Sequence, residues 1–407
     1  MGRLKQNEKD SIRYPLLAVC VSVLICLVSF QSATANTGSS SCAYRQILVS
    51  YYADPFKIDI SSMKRANELM IDDPANGIDW EKIYLPYPCV NADNKRTYIM
   101  VSKGSSNNLL IYLEGGGAAT DFVTYYTMAF SYICELLPPK CGIFDRRNPD
   151  NPFRDWTFVF VPYCTADVHS GNRVMKYLNP INPKKSKVVY HVGYVNATVA
   201  LRWAAQEFQN PGKIVLAGSS AGGYGTLAHA LNVIEIFNQP VVIINDAGPG
   251  LTSKRNPNFT LEMTDYCWGF LQNQPENVRK IILERGEVAY GLLYFLDLYN
   301  DPKYRDSIYA LYEDQKDFVI GNVFLWYTGK EFKERLLEVW GELKNSCPNN
   351  LFRFLPFGMG HTVLYGYPLV GSDFYTREIN GISVCEWVKG LLRLEGRQPM
   401  DLVERDC

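Results

Sequence analysis

A serine hydroxyl is a poor nucleophile until a neighbouring base takes its proton. The stretch "IVLAGSSAGGY", Ile214 to Tyr224, sets two serines among glycines after an apolar run. Only Ser220 has a glycine two places before it, Gly218, and two places after it, Gly222. A strand, a Gly-x-Ser-x-Gly turn and a helix together lift a serine hydroxyl above the end of a sheet. Ser220 is therefore the candidate nucleophile, and Ser219 reads as a supporting hydroxyl. Acyl transfer also needs N–H donors aimed at the developing oxyanion. One is the amide after the nucleophile, Ala221. The other must come from bare backbone in a glycine turn, and "EGGGAA" offers Gly115, Gly116 and Gly117, with Gly116 favoured.

The base must be one of four histidines. His361, in "GMGHTVL", follows the last expected strand and fits the chain order serine, acid, histidine. His229 falls inside the helix after Ser220, and His191 precedes another helix. His169 and Asp167, in "VPYCTADVHSG", follow a strand end and are candidates to line a substrate pocket. The acid should follow the strand before His361. Reading "NVFLWYTGKE", Asn322 to Glu331, as that strand gives Glu331. Asp246, in "INDAGPG", is the alternative. Glu331 also opens an amphipathic helix, where a carboxylate suits the N-terminal dipole without any catalytic role.

These residues need a scaffold that brings strand ends together. Apolar runs over Asn108 to Gly117, Trp156 to Gly171, Lys213 to Gly223, Pro240 to Gly250, Asn322 to Glu331 and Leu351 to His361 each end in a turn bearing Gly, Asp or His. Their length suits strands buried on both faces of a parallel sheet. Helical patterns separate them: "VNATVALRWAAQEF", "GGYGTLAHALNVIEIF" and "EFKERLLEVWGELK". The alternation predicts an α/β fold, a mostly parallel sheet flanked by helices, with ligands beyond the carboxyl ends of the strands. Residues 251–317 read as a helical insertion without a strand, a lid over the sheet.

The formal charge of -1 over 407 residues, without like-charge blocks, argues against nucleic acid as a partner. At the N-terminus a basic flank precedes "LLAVCVSVLICLVSF", Leu16 to Phe30, and then "ATA". This reads as a secretory signal over residues 1–35, with an uncleaved membrane anchor as the alternative. Residues 36–407 read as one esterase domain. Export would permit disulfides among nine remaining cysteines, and Cys134 with Cys141 could close a short loop. Two sequons exist, at Asn258 and Asn196, of which Asn258 sits in the more loop-like setting.

Five stretches carry a wider resemblance: "YLEGGGA", "VPYCTADVHSG", "GSSAGGYGTL", "NDAGPG" and "GMGHTVL", in order from Tyr112 to Leu364. In these the chain resembles the pectin acetylesterase family, which includes the Notum carboxylesterases. The resemblance implies an α/β-hydrolase fold and a secreted serine carboxylester hydrolase with no metal or organic cofactor. Its nucleophile and base match Ser220 and His361. Its aspartate acid matches the position of Glu331, a departure that keeps a carbohydrate-binding, catalytically impaired relative in view. Ala119 stands where many relatives have cysteine. The "GGGA" spelling implies a compact acyl pocket, and so an acetylated polysaccharide such as pectin as substrate. The alternative is a Notum-like deacylase of a lipidated protein, which would need a roomy apolar pocket under the insertion.

Overall fold

The computed structural model describes residues 46–63, 65–73, 78–129, 138–365 and 373–405. The expected signal segment and Cys134 of the expected Cys134–Cys141 bridge lie outside them. The strands in chain order are Gln46–Tyr51 (β1), Arg65–Asp73 (β2), Ile78–Tyr84 (β3), Tyr98–Ser102 (β4), Leu109–Leu113 (β5), Thr157–Val161 (β6), Arg173–Tyr177 (β7) and Lys187–His191 (β8). They continue with Ile214–Ser219 (β9), Val242–Asp246 (β10), Ile308–Tyr312 (β11), Leu351–Leu355 (β12), Glu378–Ile379 (β13), Ile382–Ser383 (β14) and Leu402–Val403 (β15). The main sheet runs β15-β12-β11-β10-β9-β5-β6-β4-β3-β2. From β15 to β6 every pairing is parallel, and β4, β3 and β2 continue it antiparallel.

The central strands "LLIYL", "TFVFV" and "IVLAGS" are buried at every position. That follows from cover on both faces. On one side pack the helices Gly193–Glu207 (α2), Ala221–Phe237 (α3) and Gly329–Ser346 (α6), with Trp203, Val233, Phe332 and Trp340 in the core. On the other, Phe144, Phe153 and Trp387 pack beneath Tyr112, Phe158 and Phe160. Trp387 comes from Val384–Leu391 (α7), and Phe122–Thr127 (α1) lies after the glycine turn. Five of the six expected strands form, as β5, β6, β9, β10 and β12, and so do the expected helices α2, α3 and α6.

Two elements differ from the sequence reading. The insertion holds the helices Leu261–Trp268 (α4) and Glu276–Arg285 (α5) and ends earlier than expected, because "IYALY" is β11, a central strand between β10 and β12. Its alternating Tyr and Leu with Ala310 looks helical in isolation, but every residue is buried between two parallel neighbours. Conversely, "NVFLWYTGKE" is not a strand. Residues Phe318–Phe324 form a wide helical turn, which Asp317 caps by accepting from the amides of Val319 and Ile320. Thr328 then starts α6.

Candidate active site

The turn after β9 is held by close backbone approach. A Cβ on Gly222 would sit 1.9 Å from the carbonyl oxygen of Leu113, and one on Gly218 would sit 2.3 Å from that of Gly222. No side chain fits at either position. Ser220 between them takes φ 57° and ψ -117°, a strained conformation for a residue with a Cβ. Its amide donates to the Asp246 carbonyl at 2.8 Å. The glycine turn after β5 lies directly on this elbow: a Cβ on Gly115 would approach the Cβ of Ser220 to 3.0 Å. Gly117 has φ 75° and lies against the Met128 carbonyl. Gly115 therefore lies against Ser220, and Gly117, Ser220 and Ala221 line one cavity.

His361 lies on the loop after β12, 7% exposed. Its Nδ1 is 2.7 Å from Oδ2 of Asp317, a fully buried carboxylate. The other oxygen, Oδ1, accepts from Val319 at 2.7 Å and Ile320 at 2.9 Å, which fixes the carboxylate plane. Burial alone would lower the His361 pKa. The charges of Asp317, Asp246 and Asp314 outweigh it and hold the imidazole above its ordinary value of 6.5.

Neither expected acid occupies that place. Glu331 is half-buried and closes the capping box of α6, exchanging hydrogen bonds with Thr328. It also pairs with Arg255 at 2.5 Å. Its position is explained by helix capping alone. Asp246 is fully buried but lies under the elbow. Its Oδ1 accepts from the Val363 amide at 2.9 Å and its Oδ2 from Leu364 at 3.0 Å. Ser219 Oγ also donates to it and accepts from Tyr112 at 2.7 Å. Asp246 thus fastens the His361 loop to the turn that carries Ser220. Ser219 is the supporting hydroxyl expected of it. Burial pushes the Asp246 carboxyl up to about 6, against the pull of these donors.

Asp317 was missed because the strand preceding it was missed. With β11 at Ile308–Tyr312, the carboxylates following the strand before His361 are Glu313, Asp314 and Asp317. The available signal was "YEDQKD" itself, three acids directly after a short apolar run.

The expected pocket role of His169 and Asp167 is also corrected. His169 is buried, with Nε2 2.8 Å from the Glu114 carbonyl, and burial pushes its pKa down to about 3. Asp167 accepts from Thr165 Oγ1 and the Gly193 amide, each at 2.7 Å. Both hold the loop behind the glycine turn. Their neighbours Val168 and Ser170 face the cavity instead. His229 and His191 are likewise buried, on the His169 carbonyl and on Tyr177 and Thr165. Asn196 lies inside α2, 4% exposed, its Nδ2 donating to Val90, so it cannot accept a glycan. The described cysteines Cys89, Cys141, Cys164, Cys267, Cys347 and Cys385 are unbridged. The thiol of Cys141 donates to the Tyr365 carbonyl and that of Cys267 to the Thr120 carbonyl.

A cavity opens at Ser220 and runs beneath the insertion. Gly117, Ser220 and Ala221 form one end. Leu227 and Leu231 of α3, Phe259, Val278 and Ile282 of α5, and Phe295 and Phe324 form the walls. Its lining is mostly apolar, with Thr252, Thr264 and Gln274 among the few polar side chains. The "GGGA" turn contributes Gly117 and Ala118 to this cavity, and the insertion and α3 contribute most of the remaining wall.

A parallel sheet with a strained serine elbow, a histidine–aspartate pair and a glycine cradle at its carboxyl end defines an α/β-hydrolase-like fold. A sequence model for pectinacetylesterase matches residues 95–259. The palmitoleoyl-protein carboxylesterase notum1' of Xenopus laevis is 29% identical over 174 residues, 39% of this chain and 34% of that protein. The mouse palmitoleoyl-protein carboxylesterase NOTUM is 29% identical over 152 residues, 35% of this chain and 28% of its own length. The chain thus matches about a third of the length of these relatives. The crystal structure of the Wnt deacylase Notum from Drosophila superposes with a TM-score of 0.55 at 19% identity, covering 84% of this chain and 96% of that one, a likeness of fold. Over residues 95–259 the chain is similar to the pectinacetylesterases, and this matched stretch carries the serine turn and the glycine turn, which supports a carboxylic ester hydrolase.

Proposed function

We propose that the protein is a serine carboxylesterase whose acyl group is a long apolar chain. The observation that carries this is the apolar cavity beginning at Ser220. Burying a chain against this apolar lining removes about 0.8 kcal/mol of unfavourable hydration per methylene. Ser220 Oγ attacks the ester carbonyl, and His361 Nε2 takes its proton. Asp317 keeps the Nδ1–H tautomer and stabilises the imidazolium. The amide of Ala221 and one from Gly115 to Gly117, with Gly116 favoured, stabilise the oxyanion. The imidazolium returns the proton to the leaving alcohol, and water activated by His361 then releases the acid from the acyl-enzyme. Glu331, as a helix cap, no longer speaks for an inactive carbohydrate-binding relative.

Hydrolysis of p-nitrophenyl esters from acetate to dodecanoate tests the reading. kcat/KM should climb with chain length to octanoate or beyond. A maximum at acetate would instead favour removal of O-acetyl groups from a polysaccharide, the reading that the pectinacetylesterase match supports. Export belongs to the proposal, on the basic-flanked apolar run at Leu16 to Phe30. So does glycosylation at Asn258, which is part-exposed in the turn Pro257–Phe259. N-terminal sequencing of protein recovered from medium, before and after glycosidase, checks both.

A further inference from the structure

Asp246, Glu313, Asp314 and Asp317 lie around the ends of β10 and β11 behind His361, each no more than 1% exposed. Three have partners that explain them. Asp246 accepts from Val363, Leu364 and Ser219. Asp314 accepts from Tyr312 at 2.8 Å and from Arg377 at 2.5 Å. Asp317 takes His361 and two amides. Glu313 is different: among the described residues no donor reaches either carboxyl oxygen, although the residue is fully buried. Such a group in a native fold calls for an explanation.

Charge balance supplies one. Four ionised carboxylates would face one guanidinium, Arg377, and one imidazole, with no water-like dielectric to screen them. One of them must hold a proton, and Glu313 is the one with no donor to stabilise an anion. Burial pushes its pKa well above the ordinary value, and Asp317, Asp314 and Asp246 add to this in that order. The Tyr224 phenol also faces it, and its own ionisation is opposed by Glu313. A carboxylate offers about four acceptor directions, and three on Asp317 are taken.

We propose that Glu313 is a positioning residue for the histidine–aspartate pair: a neutral carboxylic acid whose O–H donates to Asp317 in the remaining acceptor direction. This rests on the reading of Asp317 as the partner of a catalytic His361. The hydrogen bond spreads the charge of Asp317, weakens its hold on the imidazolium and keeps His361 able to release its proton near neutrality.

The test compares Glu313→Gln, whose amide can still donate, with Glu313→Met, which keeps the length and loses the donor. The readouts are the acid limb of kcat/KM and the His361 imidazole titration by NMR in a Ser220→Ala background. In Glu313→Met both should move up by about one pH unit, a tenfold change in the imidazolium equilibrium. In Glu313→Gln both should stay within about 0.3 unit of wild type. Infrared difference spectra should show a protonated-carboxyl band in wild type at neutral pH that Glu313→Gln lacks. A downward shift in Glu313→Gln would mean that Glu313 is an anion and overturns the proposal. So would a Glu313→Met protein with an unmoved titration, or absence of the infrared band. If Glu313→Met does not fold, the glutamine variant and the infrared band decide. The NMR and infrared readings need no turnover, so absence of esterase activity in wild type would refute the esterase reading separately.

Discussion

Replacing Asp317 by asparagine tests the site most sharply, because the structure dictates which way the new amide must face. In wild type Oδ1 accepts from the amides of Val319 and Ile320, and Oδ2 accepts from His361 Nδ1. Asparagine has one acceptor oxygen. Turning it toward His361 would leave two buried amides facing an NH2 group, at about 1–3 kcal/mol for each orphaned donor. The oxygen therefore stays on the two amides and the NH2 faces His361 Nδ1. That ring nitrogen must now accept, which moves the ring proton to Nε2. An Nε2–H imidazole cannot take the proton of Ser220. Loss of the correct tautomer in a serine triad costs about 10⁴ in kcat, or about 5.4 kcal/mol of transition-state stabilisation. The assay is kcat on p-nitrophenyl octanoate, with a thermal melt to show that the fold is kept and a fluorophosphonate to titrate Ser220. The reasoning is refuted if Asp317→Asn stays within about tenfold of wild type while folded, or if Glu331→Gln loses as much.

Glu331→Gln itself should keep kcat within about twofold of wild type, since the side chain caps a helix and pairs with Arg255 away from His361. Asp246→Asn leaves one of the Val363 and Leu364 amides facing an NH2 group, and should lower stability by about 1–3 kcal/mol in urea titrations. Its kcat should fall by about 10 to 100-fold, less than that of Asp317→Asn, because it loosens the His361 loop without reversing the tautomer. The Asp246 pKa is raised by burial to about 6, so its contribution to stability is fully present below its unfolded value and is lost as pH rises through about 6. The wild-type to Asp246→Asn stability difference should therefore shrink between about pH 4 and pH 7. His361 must be neutral to act as base and is held above 6.5, so kcat/KM should rise with pH through a midpoint above that value; a midpoint below 6 on the octanoate ester would contradict the charge arrangement. Leu231→Trp, in the cavity wall, should cut kcat/KM for octanoate by about tenfold or more and leave acetate within about twofold.

The residues of the serine turn announce themselves in sequence because local backbone chemistry dictates them. Gly218 and Gly222 are required by contacts of 2.3 Å and 1.9 Å that no Cβ permits, so the motif is legible wherever a strand and helix flank it. The glycine turn at Gly115 to Gly117 and the histidine after the last strand are legible for the same reason: each lies at the end of an apolar run whose type is set by neighbours in the chain. Most of the parallel sheet follows from those runs. The acid does not. Its identity depends on which segment between residues 251 and 351 joins the sheet, and "IYALY" becomes a strand only because β10 and β12 bury it on both sides. Strand membership there is decided by long-range pairing, not by propensity. The same holds for the cavity. Leu227, Leu231, Val278 and Phe324 read as ordinary core positions, and only the docking of the insertion over α3 leaves a space between them at Ser220. The sequence by itself marked out the candidate nucleophile, the candidate base and the scaffold. The tertiary structure decided which carboxylate stands behind the histidine and what walls the cavity at Ser220 has, because both depend on contacts between segments far apart in the chain.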